Sequence, residues 1–143
     1  MTQISTLPDE AATRALALTV GAQLRAGDLV LLSGELGAGK TTFAQELARS
    51  LAVTEDVSSP TFTLILEYTS GRVPLLHCDA YRMEDLDSAE LADAGFFDFL
   101  SRTDAVRLLE WPEMVAGFLP PPQWKIEILF EGDARRASIW RSD

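Results

Sequence analysis

The sequence contains no asparagine, one cysteine, one histidine and two lysines among 143 residues. A single thiol, Cys78, can close no internal disulfide and reads as packed core in a reducing compartment. A single imidazole, His77, leaves no histidine-based zinc cluster; it reads as a hydrogen-bonded strand residue or a proton relay. No apolar run approaches the roughly 18 residues of a membrane span. The start, MTQISTLPDE, lacks the basic and apolar segments of a secretory leader. The expectation is a cytoplasmic protein with no membrane partner. Bases are scarce too, 12 Lys and Arg against 22 Asp and Glu, for a net charge of −10. That argues against extensive contact with a nucleic-acid backbone, although Arg135 and Arg136 could form a local basic patch. The stretch Glu84 to Asp98 carries acids and no base, as a solvated helical face or a dock for a basic partner would.

What is present is ordinary for a globular chain: 47% hydrophobic and 24% charged residues. The length suits one domain, residues 1–143, with its own core. The most informative segment is GELGAGKT, Gly34 to Thr41. It fits the phosphate-loop spacing, in which glycines let successive backbone N–H groups turn toward phosphate oxygens. The lysine, Lys40, reaches the β and γ phosphates, and the Thr41 hydroxyl can ligate magnesium. Its surroundings agree. Asp28 to Ser33 is an apolar run typical of a strand buried on both faces. Phe43, Ala44, Leu47, Ala48 and Leu51 then recur at helical spacing. The helix start adds its partial positive charge to the loop. The missing asparagine now acquires a meaning. The guanine-reading Asn-Lys-x-Asp element of GTPases cannot be present, which favours ATP over GTP.

Along the rest of the chain, Asp9 reads as the N-cap of a helix whose Leu16, Val20 and Leu24 share a face down to Gly27. Residues 61–68 and 73–79 read as strands across a Ser70-Gly71 turn. Asp87 to Ala94 reads as a short helix with Gly95 as its C-cap, and Ala105 to Leu109 as another apolar strand. Trp124 to Phe130 alternates and leads through Glu131-Gly132-Asp133 into a hairpin partner, Ala137 to Trp140. No repeat is evident, and Pro120 to Pro122 is too brief a connector to separate domains. The fold class expected is α/β: a compact P-loop NTPase domain with a mixed sheet, flanking helices and antiparallel pairs after the first helix of the loop.

Phosphoryl transfer also needs groups that hold a metal and position a nucleophile. Two carboxylates, Asp79 and Glu110, end apolar strands as a magnesium-site carboxylate should, and a helix cap or a surface acid is the alternative for each. Ser58-Ser59-Pro60-Thr61-Phe62 follows the loop's helix, where Thr61 could approach magnesium and the γ-phosphate as in P-loop switches. Arg82 could touch phosphate, a partner or a structural carboxylate. Trp111 could cover the nucleotide, meet a partner or pack.

The ordered elements LPDEAAT, GELGAGKTTF, SSPTFTL, LLHCDAYR and LLEWPE closely resemble the bacterial TsaE family, over about Leu7 to Pro112. The phosphate loop is common to many proteins; the SPTF, HxDxYR and EWP elements in this order make the match specific. The resemblance implies an ATPase that supports synthesis of N6-threonylcarbamoyladenosine at position 37 of tRNA, in a complex with TsaB and TsaD, with TsaD carrying the transfer chemistry. It also implies phosphate contacts from Gly37, Ala38, Gly39, Lys40, Thr41 and Thr42, and a nucleoside near Glu10. Thr41 and Glu110 are the implied magnesium ligands, and Asp79 is the implied catalytic or water-positioning carboxylate, alongside Lys40 and Thr61. The roles of Asp79 and Glu110 could be exchanged. ATP and Mg2+ are the expected cofactors, and tRNA is met through the complex. A small protein with an open site should be a poor ATPase alone. Two other readings use the same loop. A small-molecule kinase would add an arginine-bearing lid, and Arg82 and Arg102 are isolated. A nucleotide-sensing module would bind without turnover.

Overall fold

In the computed structural model, residues 2–57 and 65–142 are described. All seven strands among them join one sheet in the order β1-β7-β6-β2-β5-β4-β3. The strands are β1 (Thr2–Leu7), β2 (Leu29–Gly34), β3 (Ile65–Tyr68), β4 (Leu75–Asp79), β5 (Val106–Glu110), β6 (Trp124–Glu131) and β7 (Ala134–Arg141). Strands β4, β5, β2 and β6 run parallel at the centre, while β3 pairs antiparallel with β4, and β7 with both β6 and β1. The mixed sheet expected from the short turns is therefore present, and the antiparallel pairs sit at its two flanks.

Strand β2 is apolar and buried from Leu29 to Leu32 because both of its faces are covered. From β2, Val30 and Leu32 point into a cluster with Val20, Phe43 and Leu47 of helices α1 (Glu10–Gly21) and α2 (Lys40–Ser50). Leu29 and Leu31 point the other way, toward Leu91, Phe96 and Phe99 of helices α3 (Ser88–Asp93) and α4 (Phe96–Ser101). Burying each such side chain stabilises the fold by about 1.5–3 kcal/mol.

Boundaries moved in informative ways. Helix α1 is capped by Asp9, whose carboxylate accepts from the Ala12 N–H at 2.9 Å, but it ends at Gly21 rather than running to Gly27. Strand β5 begins and ends one residue later than the apolar run, so that Glu110 is itself its last residue. Strand β4 starts at Leu75, because Pro74 lacks the N–H a central strand would use. Helix α3 carries a full Asp87–Glu90 capping box, and its cap residue is Ala94, with left-handed Gly95 just beyond. All six acids between Glu84 and Asp98 are exposed, as a solvated face requires. Strand β1, helix α4 and a kinked 3-10 segment, Pro112–Phe118, are elements the periodicity did not announce.

Candidate nucleotide site

Parallel strands carry their carboxyl ends to one edge of the sheet, where open α/β folds bind ligands. Here β2 delivers Gly34, β4 delivers Asp79 and β5 delivers Glu110 to that edge, and Asp79 and Glu110 are register partners. His77, Asp79, Leu108 and Glu110 share one sheet face by strand alternation. That face is filled by Leu75, Val106 and Leu108 lower down and turns polar over its last two rungs, at His77 and then at Asp79 and Glu110. A dry core thus runs up to the point where charge is wanted.

Two glycines at the loop between β2 and α2 hold positive-φ backbone that other residues adopt only under strain. Gly34 has φ +150, and a Cβ there would stand 2.3 Å from the Ile128 carbonyl oxygen of β6. Gly39 has φ +110 and occupies the N-cap position of α2 without any side-chain cap. The first N–H groups of α2 are thus left facing outward with the dipole's positive end, which suits an anion. Thr41 is exposed in that first turn and Thr42 half-buried beside it.

Lys40 does not project into solvent. It is 6% exposed. Its ammonium donates to the Gly34 carbonyl at 2.7 Å and lies 3.6 Å from the centroid of the Trp111 ring. Burial pushes its pKa below the ordinary lysine range, opposed by the nearby carboxylates of Glu110, Asp79 and Glu113. Trp111 is held in a left-handed conformation, φ 57 and ψ 50, costly for a bulky residue at about 1–3 kcal/mol. It is anchored by its N–H to the Leu32 carbonyl and by an edge contact with Tyr81 at 4.9 Å. The strained turn directly follows Glu110 and folds the indole back over the lysine.

Glu110 is buried, and its Oε2 lies 2.5 Å from His77 Nε2. Asp79 is half-buried, and its Oδ1 accepts from the Tyr81 N–H at 2.9 Å. Burial raises the Asp79 pKa. The Tyr81 hydrogen bond opposes this, Glu110 adds to it, and His77 and Lys40 counter it. Burial also lifts the Cys78 thiol far above its usual range, which makes it inert core, as expected. Thr61 lies outside the described residues.

A cleft of about 290 Å³ adjoins the loop, lined by Asp9, Glu10 and Thr13 of the α1 start, by Gly37, Gly39 and Thr42, and by Asp133 and Arg135 of the β6–β7 hairpin. Glu10 bonds Arg14 and lies 3.5 Å from the Thr42 hydroxyl, so the start of α1 and the loop share one wall. The hairpin is the part that sequence reasoning did not assign. Arg135 stacks over Phe130 at 4.1 Å, beside Gly37; the doublet Arg135-Arg136 was its only signal. Arg136 instead pairs with Glu131 at 3.6 Å. Arg82 is exposed. Among the described residues no group of three His, Cys, Asp or Glu side chains is arranged to hold a metal, and no helix is long and apolar enough to cross a membrane.

Comparison with known proteins finds relatives along most of the chain. The family model for threonylcarbamoyl adenosine biosynthesis protein TsaE matches residues 7–138. The tRNA threonylcarbamoyladenosine biosynthesis protein TsaE of Bacillus subtilis is 42% identical over 129 residues, 90% of this chain and 77% of that protein. The protein of the same name from a Nostoc species is 43% identical over 107 residues, 75% of this chain and 66% of its own length. The chain therefore spans about two thirds to three quarters of these relatives. The crystal structure of Bacillus subtilis YdiB superposes with a TM-score of 0.75 at 32% identity, covering 100% of this chain and 87% of that one.

Proposed function

The chain belongs to the TsaE family, with a P-loop nucleotide-binding fold, and from that premise we propose that residues 1–143 act as one ATPase domain supporting tRNA N6-threonylcarbamoyladenosine synthesis. Its role is to bind and hydrolyse ATP so that a TsaD–TsaB transferase turns over repeatedly; tRNA is met through that complex, in the cytoplasm. The observation that carries the reading is the convergence of Lys40, Glu110 and Asp79 at the end of the sheet beside an uncapped helix start. The absence of asparagine supports adenine over guanine as the base.

Backbone N–H groups of Gly37 to Thr42 receive the phosphates, and Lys40 exchanges the Gly34 carbonyl for phosphate oxygen. Glu10 borders the nucleoside. Oxygen donors suit a hard cation that keeps waters and phosphate ligands, so the Thr41 hydroxyl and Glu110 fit magnesium. Bound there, magnesium would neutralise charge on the phosphates. Asp79, half-buried beside Glu110 at the end of the sheet, orients the attacking water. The cleft is open, so docked partners exclude water and complete the charge clamp. The test is ATP turnover measured with and without TsaB and TsaD. Stimulation by the partners that is lost in both Asp79→Ala and Glu110→Ala supports the reading; stimulation unaffected by either removes it.

A further inference from the structure

We propose that His77 is a positioning residue that fixes the Glu110 carboxylate for the cation; the inference rests on the reading of Glu110 above. His77 is 1% exposed and Glu110 3%, so neither side chain can satisfy itself with bulk water. The ring comes from β4 and the carboxylate from β5, and the register pairs His77 with Leu108, two residues before Glu110. Both side chains therefore rise from the same sheet face, and the Nε2 to Oε2 separation of 2.5 Å closes the gap between them. His77 Nδ1 has no partner among the described residues. The tautomer that avoids burying an unmade N–H places the proton on Nε2, where it donates to the carboxylate.

A carboxylate tied by one oxygen to a buried ring is restricted in its rotamers, and its second oxygen, Oε1, is left for another partner. An untied Glu110 would have to lose that rotamer freedom whenever a cation bound. Outer partners of this kind change metal affinity by about 10- to 100-fold when removed. The expected signature is specific. Removing the hydrogen bond weakens the cation's contribution to nucleotide binding and leaves binding without cation intact, because Lys40 is held by the Gly34 carbonyl and the Trp111 ring while His77 bonds Glu110.

The experiment titrates ADP into the full-length protein by calorimetry, first in EDTA and then across magnesium concentrations. His77→Leu removes the donor, His77→Gln keeps an N–H at similar reach, and Glu110→Ala removes the carboxylate. Expected are an unchanged EDTA affinity for His77→Leu, a magnesium requirement about tenfold higher, and recovery in His77→Gln. If Glu110→Ala leaves magnesium dependence unchanged, the reading of Glu110 is wrong and this inference with it. If Glu110→Ala raises it but His77→Leu does not, only the inference is overturned. Equal impairment in His77→Leu and His77→Gln overturns it in favour of packing. Should His77→Leu lose EDTA binding as well, His77→Gln decides: wild-type magnesium dependence supports the role, and a raised requirement contradicts it.

Discussion

The Lys40 ammonium is held between the Gly34 carbonyl, at 2.7 Å, and the Trp111 ring, 3.6 Å from its centroid. The loop's ammonium thus has two partners within the protein itself. A cation over an aromatic face gains about 0.5–2 kcal/mol, which triphosphate oxygens can outbid. In a Trp124→Phe, Trp140→Phe background, ATP should therefore shift the emission of Trp111 as Lys40 leaves the ring. Emission unchanged at saturating ATP would mean that the contact persists.

Gly34→Ala should be destabilising by at least about 2 kcal/mol, since strain at positive φ adds to overlap with backbone. The reason is the 2.3 Å approach of a Cβ to the Ile128 carbonyl of a central strand, which cannot yield as a side-chain tip would. Denaturant unfolding measures it, and a midpoint within error of wild type would refute the argument.

Asp79 has a pH signature. Its folded pKa lies above its unfolded value, so the native state binds more protons between the two, and stability falls as pH rises through that window. Above it the penalty is complete. Asp79→Asn keeps the acceptor for the Tyr81 N–H and removes the charge. Nucleotide-free Asp79→Asn should therefore unfold at higher denaturant than wild type at pH 7, with the gap closing toward the ordinary aspartate pKa. A variant less stable than wild type at pH 7 would reverse the sign.

The nucleoside wall is tested by Glu10→Ala. Because Glu10 joins Thr42 and Arg14 at the cleft, its loss should weaken ATP binding by about 5- to 10-fold, the scale of one ordinary net hydrogen bond of about 1 kcal/mol. Binding of inorganic triphosphate should be spared. Equal loss for both ligands would place Glu10's effect on the phosphates instead.

Much of this site is legible in the sequence because its parts are local. A loop between a strand and a helix needs its glycines, lysine and threonine at fixed offsets, and a parallel strand that ends in a carboxylate announces its edge. What was not legible depends on register and on distant pairing. The 2.5 Å contact between His77 and Glu110 exists only because β4 and β5 lie side by side in one alignment. Arg135 reaches the loop through a hairpin whose sequence carries no motif. Strand β1 escaped notice because only Leu7 is buried in it; its pairing with β7 on the sheet edge, not its apolar pattern, makes it a strand. Helix α4, FFDFLS, is too short for a 3.6-residue period to show.

The central claim is that this phosphate loop drives repeated turnover of a tRNA-modifying complex. The most direct measurement counts threonylcarbamoylated tRNA molecules per TsaD in a reconstitution containing TsaB, TsaD, tRNA, ATP and either this protein or its Lys40→Ala variant. The account predicts many modified tRNAs per complex with the native chain and no more than about one with Lys40→Ala, since the ammonium proposed to grip the phosphates is gone. Multiple turnovers sustained by Lys40→Ala at the native rate would contradict it.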